Sequence, residues 1–407
     1  MTENPAYVIV GASLAGAKAA QTLREEGFRG PVILIGEETK RPYERPALSK
    51  DYLMGKAERE SLYVHPEEWY AEHDVDLRLG VAVTGIDPSA HEVRLGDGSR
   101  VGYARLLLAT GSSPRRLQVP GADLDGVLYL RSVGDSDRIR QAFQAAKRVI
   151  VIGAGWIGLE TAAAARNAGV EVTVLETAEL PLLRVLGKEV AQVFADLHRE
   201  HGVDLRLGVG VAEITGAGGR ATGVRLSDGS QISADAVIVG IGITPNTQLG
   251  EAAGLEVNDG IRVDESLRSS DPDIYAAGDV ASAYHPLLRW YIRVEHWANA
   301  LNQPQAAARS MLGQEVSYDL IPYFYTDQYD LGMEYAGYVD PGGYDQVLFR
   351  GDVGKREFIA FWLAGGRVLA GMNVNIWDVN DDIQALIRRG TPVDHARLAD
   401  PRIPLTA

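Results

Sequence analysis

The chain contains no cysteine in 407 residues. Disulfides, thiolate nucleophiles, cysteine-ligated zinc and protein-held iron–sulfur clusters are therefore excluded. Net positive charge is also missing: 40 Lys and Arg stand against 55 Asp and Glu, a formal net charge of −15. No global electrostatic footprint exists for nucleic acid or an anionic membrane. Long apolar runs are absent too, none approaching the ~18 residues of a membrane span. The opening MTENPAYVIV has neither the basic nor the apolar region of a secretory leader. A cytoplasmic protein with no nucleic-acid or membrane partner is the expectation.

Glycine, by contrast, is plentiful, with 45 residues that cluster after apolar runs. That placement marks turns between packed elements, and at about 150 residues per domain the length allows two or three domains. Much of the sequence occurs twice. VIVGASLAG (8–16) returns as VIVIGAGWIG (149–158), VDLRLGVAV (75–83) as VDLRLGVGV (203–211), and VRLGDGS (93–99) as VRLSDGS (224–230). The order is the same in both, and an ancient duplication with extra sequence near 38–63 of the first copy accounts for it.

Each copy reads as a strand, a glycine turn and an alanine-rich helix, then a strand ending in an acid, PVILIGEE or EVTVLET. Alternating strands around Asp97-Gly98 and Asp228-Gly229 carry a hairpin signal. The expected fold is α/β, with two Rossmann-type dinucleotide-binding domains and a C-terminal α+β domain of strands and one helix. Its expected division is 1–112 with 239–317 for one dinucleotide, 113–238 for the other, and 318–407 for the remainder. A helix from about Glu295 to Leu312 should be interrupted and kinked by Pro304.

The second fingerprint has all three glycines, Gly153, Gly155 and Gly158, with Ile157 among them. Glu176 follows 18 residues after Gly158, where a carboxylate accepts a ribose 2′-hydroxyl and repels a 2′-phosphate. NAD is therefore expected over NADP. The first copy keeps Gly11 and Gly16, with Ser13 at the middle position, Ala15 beside it, and Glu37 at the next strand end. A modest distortion of the pyrophosphate grip is expected from Ser13. GASLA is also compatible with a hydrolase nucleophile elbow bearing Ser13 as the reactive hydroxyl. That reading lacks the fifth-position glycine and explains neither the duplication nor Glu37.

Two such sites most economically hold FAD and a nicotinamide dinucleotide. With RPYERPALSK, LLLATGSSPR, LYLRS, VIVIGAGWIGLE, GIGITPN, SSDPDIYAAGD, VEHWANA and FYTDQY also present, the chain resembles the pyridine-nucleotide flavoprotein oxidoreductases. Within them it resembles the ferredoxin reductases of oxygenase systems, with a glutathione-reductase-like arrangement. The resemblance implies FAD contacts at Gly11, Ser13, Ala15, Gly16, Glu37, Arg45, Lys50, Val83, Thr110, Gly111, Arg131, Asp279 and Trp297. NAD contacts are implied at Gly153, Gly155, Ile157, Gly158, Glu176 and Gly242, and catalytic roles at Lys50 and Glu160, which should pair.

The same resemblance implies hydride transfer from NADH to FAD, followed by single electrons passing to a 2Fe–2S ferredoxin that feeds a cytochrome P450 or Rieske oxygenase. The absence of cysteine fits direct delivery, since the disulfide of related reductases has no counterpart here. A rubredoxin, quinone or oxygen reductase, or a signalling flavoprotein of the apoptosis-inducing-factor type, remain alternatives. The protein is expected to be a monomer or weak homodimer without a metal. His198 and His201 are read as a solvated helix face, and Arg289, Arg293 and Arg309 as a basic patch for an acidic acceptor. The tyrosine at 325, where the family has tryptophan, and Pro304 have no assigned role.

Overall fold

The computed structural model describes residues 6–405, so the opening MTENP lies outside them. The chain forms two compact units. The first comprises 1–44, 59–113 and 244–322, and the second 45–58, 114–243 and 323–407.

The first unit is organised by a five-stranded parallel sheet ordered Ile274–Ala276, Arg105–Leu108, Tyr7–Val10, Val32–Gly36, Val75–Leu79. The strands Tyr7–Val10 and Val32–Gly36 are near-continuous apolar runs, as suits positions covered on both faces, whereas the edge strand Val75–Leu79 alternates and exposes Asp76. Val8, Ile9, Leu34, Leu106 and Leu107 are wholly buried. The helix Leu14–Glu25 packs along the helix Trp297–Met311 through small residues, Ala19, Ala20, Ala307 and Ala308 among the buried ones. The latter helix runs on through Pro304 as one element, so the expected interruption does not occur. A buried proline removes one helical hydrogen bond, and the helix continues beyond it with Ala306, Ala307, Ala308 and Met311 in the core.

The second unit repeats the plan with the parallel order Asp204–Leu207, Glu171–Glu176, Arg148–Ile152, Ala236–Val239, Val127–Leu128. Each copy adds a three-stranded antiparallel sheet: Val83–Asp87, Glu92–Leu95 and Arg100–Gly102 in one, Val211–Ala217, Arg220–Leu226 and Gln231–Ser233 in the other. The predicted hairpins turn alike. Asp97 Oδ1 accepts from Ser99 N at 2.9 Å, and Asp228 Oδ1 from Ser230 N at 2.9 Å.

Residues 323–374 form a five-stranded antiparallel sheet, ordered Tyr323–Gln328, Leu331–Gly337, Arg367–Val374, Glu357–Ala364, Gln346–Asp352. It shares a core with the second Rossmann unit, where Phe324, Met333 and Trp362 meet Val190, Phe194 and Leu197. The Trp362 indole N–H donates to the Leu186 carbonyl at 3.0 Å. Two helices follow instead of the expected one, Asn380–Arg389 and the short His395–Ala399. The second begins at Asp394, whose carboxylate caps two backbone N–H groups. Among the described residues, no helix is long and apolar enough to cross a membrane.

Candidate functional site

In the first unit the strand Tyr7–Val10 enters Gly11 at φ +118°, where a Cβ would stand 2.1 Å from the Ala109 carbonyl oxygen. A Cβ on Gly16 would meet the Gly11 carbonyl at 2.0 Å. Both glycines are therefore required by the chain itself. Ser13 is the N-cap of the helix Leu14–Glu25 in extended conformation, φ −120°, ψ −161°, with no side-chain cap bond. Among the described residues its hydroxyl has no partner, histidine included. The helix N–H groups and the serine hydroxyl are thus donors awaiting an acceptor.

Ala15 lies against the Gly278 turn, where a Cβ would come within 3.5 Å of it. That turn presents Asp279, whose Oδ2 accepts from Ser112 Oγ at 2.6 Å. Thr110 and Gly111 are clamped by Asn246: the Thr110 hydroxyl donates to its carbonyl at 2.9 Å, its amide donates to the Thr110 carbonyl at 2.8 Å, and its N–H reaches the Gly111 carbonyl at 2.9 Å. Glu37 is exposed at its strand end, and Val83 opens the strand Val83–Asp87. Trp297 starts its helix and donates from Nε1 to Glu44 at 3.0 Å. Beside it, burial holds the His296 imidazole down near pKa 4.

The second unit holds the other fingerprint. Gly153 at φ +99° and Gly158 are closed in, their Cβ positions 2.3 Å from the Gly240 carbonyl and 2.1 Å from the Gly153 carbonyl. Gly155 is the reverse: nothing lies within 4 Å of an added Cβ. It caps the helix Trp156–Asn167 without a side-chain bond, leaving an open mouth of N–H groups beside the exposed Ile157. Glu176 turns inward, accepting from Ala154 N at 2.8 Å and Ala178 N at 2.9 Å. Gly242, at φ +97°, accepts from Arg115 N at 2.9 Å.

Arg45, Lys50 and Arg131 also belong to this second unit. Arg45 donates to the Arg131 carbonyl. Lys50 Nζ lies 2.8 Å from Glu160 Oε1, with side chains 13% and 4% exposed. The pairing expected from sequence is present, and it is nearly dry. Ser49 and Thr326 donate their hydroxyls to the two oxygens of Glu160. The Tyr325 ring centre lies 5.5 Å from Lys50 Nζ. Ser49 and Thr326 were not singled out from sequence. For Thr326 the signal available was a polar residue alternating with aromatics along a strand, and Ser49, in the turn Pro46–Ser49, carried none.

Two expectations need correction. His198 is fully buried, not solvated, and hydrogen-bonds Gln328 Oε1 at 2.8 Å, while burial lowers its pKa to about 4. The three arginines do not form a free basic patch. Arg293 is only 9% exposed and pairs with Glu295 at 2.6 Å and Asp259 at 3.3 Å, and Arg309 pairs with Glu26 at 2.8 Å. Acids neutralise two of the three arginines that the sequence spacing grouped together, and Arg289 stays exposed. Among the described residues no group of three acidic or histidine side chains is arranged around a metal position.

Two open, uncapped helix mouths, each with its first and last glycine closed against the chain and a carboxylate at the neighbouring strand end, fit a dinucleotide apiece. Comparison with known proteins agrees. Residues 5–304 match the pyridine nucleotide-disulphide oxidoreductase family, and 323–407 match the reductase C-terminal family. The chain belongs to the pyridine nucleotide-disulphide oxidoreductases.

Within that family it is 42% identical to rhodocoxin reductase of Rhodococcus erythropolis, over 90% of this chain and 86% of that one. It is 39% identical to the ferredoxin–NAD(+) reductase component of the anthranilate 1,2-dioxygenase system of Burkholderia cepacia, over 100% of this chain and 99% of the relative. It superimposes on putidaredoxin reductase in its covalent complex with putidaredoxin at a TM-score of 0.95, with 39% identity across 99% of this chain and 98% of that one. A family named for a disulphide is here represented by a chain without cysteine, so its electrons leave by another route.

Proposed function

We propose that this chain carries electrons from NADH through FAD to a 2Fe–2S ferredoxin that serves a cytochrome P450 or Rieske oxygenase. The enzyme is an NADH-dependent flavoprotein ferredoxin reductase. The observation that carries this reading is the dry Lys50–Glu160 pair beside a complete dinucleotide fingerprint in a chain that has no cysteine. Bound FAD supplies the chemistry the side chains lack, taking two electrons together from NADH and giving them up singly.

The protein's part is binding and electrostatics. Gly11, Ser13, Ala15, Gly16 and Glu37 would hold the adenosine and pyrophosphate of FAD, the serine hydroxyl adding a donor. Arg45, Val83, Thr110, Gly111, Arg131 and Asp279 would complete the grip. The helix beginning at Trp297 would direct its positive end to the electron-rich flavin, and the Lys50 ammonium would add a fixed charge. Gly153, Gly155, Ile157, Gly158, Glu176 and Gly242 would hold NADH, with Glu176 disfavouring a 2′-phosphate. The domains assigned to these roles are 1–112 with 239–317 for FAD and 113–238 for NADH, followed by 318–407. The working form is a cytoplasmic monomer or weak homodimer.

The purified protein should be yellow and lose its flavin absorption rapidly when mixed anaerobically with NADH, and slowly with NADPH. A colourless protein that binds no added FAD would overturn the assignment and return Ser13 to consideration as a nucleophile.

A further inference from the structure

Behind the Lys50–Glu160 pair a line of buried polar side chains runs through the second unit. His198 Nε2 lies 2.8 Å from Gln328 Oε1, Gln328 Nε2 lies 3.2 Å from Thr326 Oγ1, and Thr326 Oγ1 reaches Glu160 Oε1 at 2.5 Å. Exposure is 0% at His198 and 1% at both Gln328 and Thr326. Buried polar groups of this kind are expensive unless every one is satisfied. Here they are, and in a single direction.

The direction follows from the inventory of protons. Gln328 gives its amide N–H to Thr326, so its oxygen requires a donor, which is His198 Nε2–H. The neutral imidazole then has an acceptor left at Nδ1, and the Tyr329 hydroxyl lies 3.5 Å from it. Thr326 receives from Gln328 and has one proton to give, which goes to Glu160. Ser49 donates to the other Glu160 oxygen, and Lys50 donates to the same oxygen as Thr326. Every group approaching Glu160 is a donor, the set that an ionised carboxylate accepts.

A lysine on a four-carbon stem has other choices. Asp327, next to Thr326 on the strand, feels the charge of Lys50 as well as that of Glu160, while its partial burial raises its carboxyl pKa. Fixing Glu160 decides which carboxylate Lys50 faces.

We propose that Thr326, Gln328 and His198 are positioning residues for nicotinamide oxidation: their hydrogen-bonded line fixes the Glu160 carboxylate and, through it, the Lys50 ammonium. The proposal rests on the reading above, in which Lys50 and Glu160 act beside the two cofactors, and adds the reason why they are held still.

The test compares Thr326→Val, which keeps the shape and loses the hydroxyl, with Thr326→Ser, which keeps the hydroxyl. One readout concerns the line itself: acetylation of Lys50 by acetic anhydride in the purified protein, followed by mass spectrometry. Thr326→Val should raise the Lys50 labelling rate about threefold, and Thr326→Ser should not. The second readout is the anaerobic rate of flavin bleaching at saturating NADH. Thr326→Val should slow it roughly tenfold, the value of one hydrogen bond to a charged group, with Thr326→Ser restoring it. In a Glu160→Gln background Thr326→Val should add nothing further.

Unchanged labelling, a Thr326→Val enzyme as fast as wild type beside a slow Glu160→Gln, or an equal loss in the Glu160→Gln background would overturn the proposal alone. Altered labelling beside a Glu160→Gln enzyme that bleaches at the wild-type rate would overturn the role assigned to Glu160, and this proposal with it.

Discussion

The two fingerprints are the same turn built twice, and they differ at the middle position. In both copies the outer glycines are demanded by the chain: a Cβ at Gly11, Gly16, Gly153 or Gly158 would meet a backbone carbonyl at 2.0–2.3 Å. The middle residue is not so constrained. Ser13 and Gly155 are both extended, at φ −120° and −80°, a conformation open to any residue. Space beyond Gly155 is free of protein. A glycine there answers to what approaches from outside, whereas its flanking glycines answer to the fold. The first copy can therefore carry serine at no cost to folding and use its hydroxyl as a donor.

The sharpest way to break this comparison is to fill the outer positions. Gly16→Ala and Gly158→Ala should each lower Tm by roughly 5–10 °C, because backbone has to move to admit the methyl. Thermal unfolding of the two variants checks this, and a variant as stable as wild type would refute the packing argument. Exchanging the middle residues should act on ligands instead. Gly155→Ser should leave Tm within about 2 °C and weaken NADH binding about tenfold. Ser13→Gly should change FAD affinity by about threefold or less, as measured by flavin titration of the stripped protein.

The strand-end acids offer a smaller contrast. Glu176 bonds two backbone N–H groups, one of them in the glycine loop, while Glu37 is exposed. Glu176→Ala should destabilise the protein by about 1 kcal/mol and narrow the preference for NADH over NADPH. Glu37→Ala should cost less than about 0.5 kcal/mol. The smallest effects belong to the matched hairpins. Asp97→Ala and Asp228→Ala each remove one exposed turn and should shift Tm equally, by about 2 °C or less.

The duplicated architecture was legible in the sequence because its signals are local. Glycine turns, alanine-rich helices and Asp-Gly hairpins announce themselves within a dozen residues, and the second copy corroborates the first. The Lys50–Glu160 pair was legible through the resemblance alone, since 110 residues separate its members. What escaped was set by distant partners. His198 finds Gln328 across 130 residues, and Thr326 finds Glu160 across 166. No periodicity reports that. The grouping of Arg289, Arg293 and Arg309 failed in part for the same reason: Arg309 is neutralised by the distant Glu26, whereas Arg293 pairs with Glu295, two residues along the chain, as well as with Asp259. Pro304 misled because a helix-breaking propensity of about 3 kcal/mol can be offset by burial of the helix, here with Pro304 itself among the buried residues.

The central claim is that electrons pass from NADH to an iron–sulfur carrier without a protein thiol. The most direct measurement is the rate at which the enzyme reduces a 2Fe–2S ferredoxin, compared with rubredoxin, quinone and oxygen, using NADH and NADPH in turn. The account predicts rapid NADH-driven reduction of the ferredoxin and far slower turnover with every other combination. Rapid turnover with quinone or oxygen and none with the ferredoxin would contradict it.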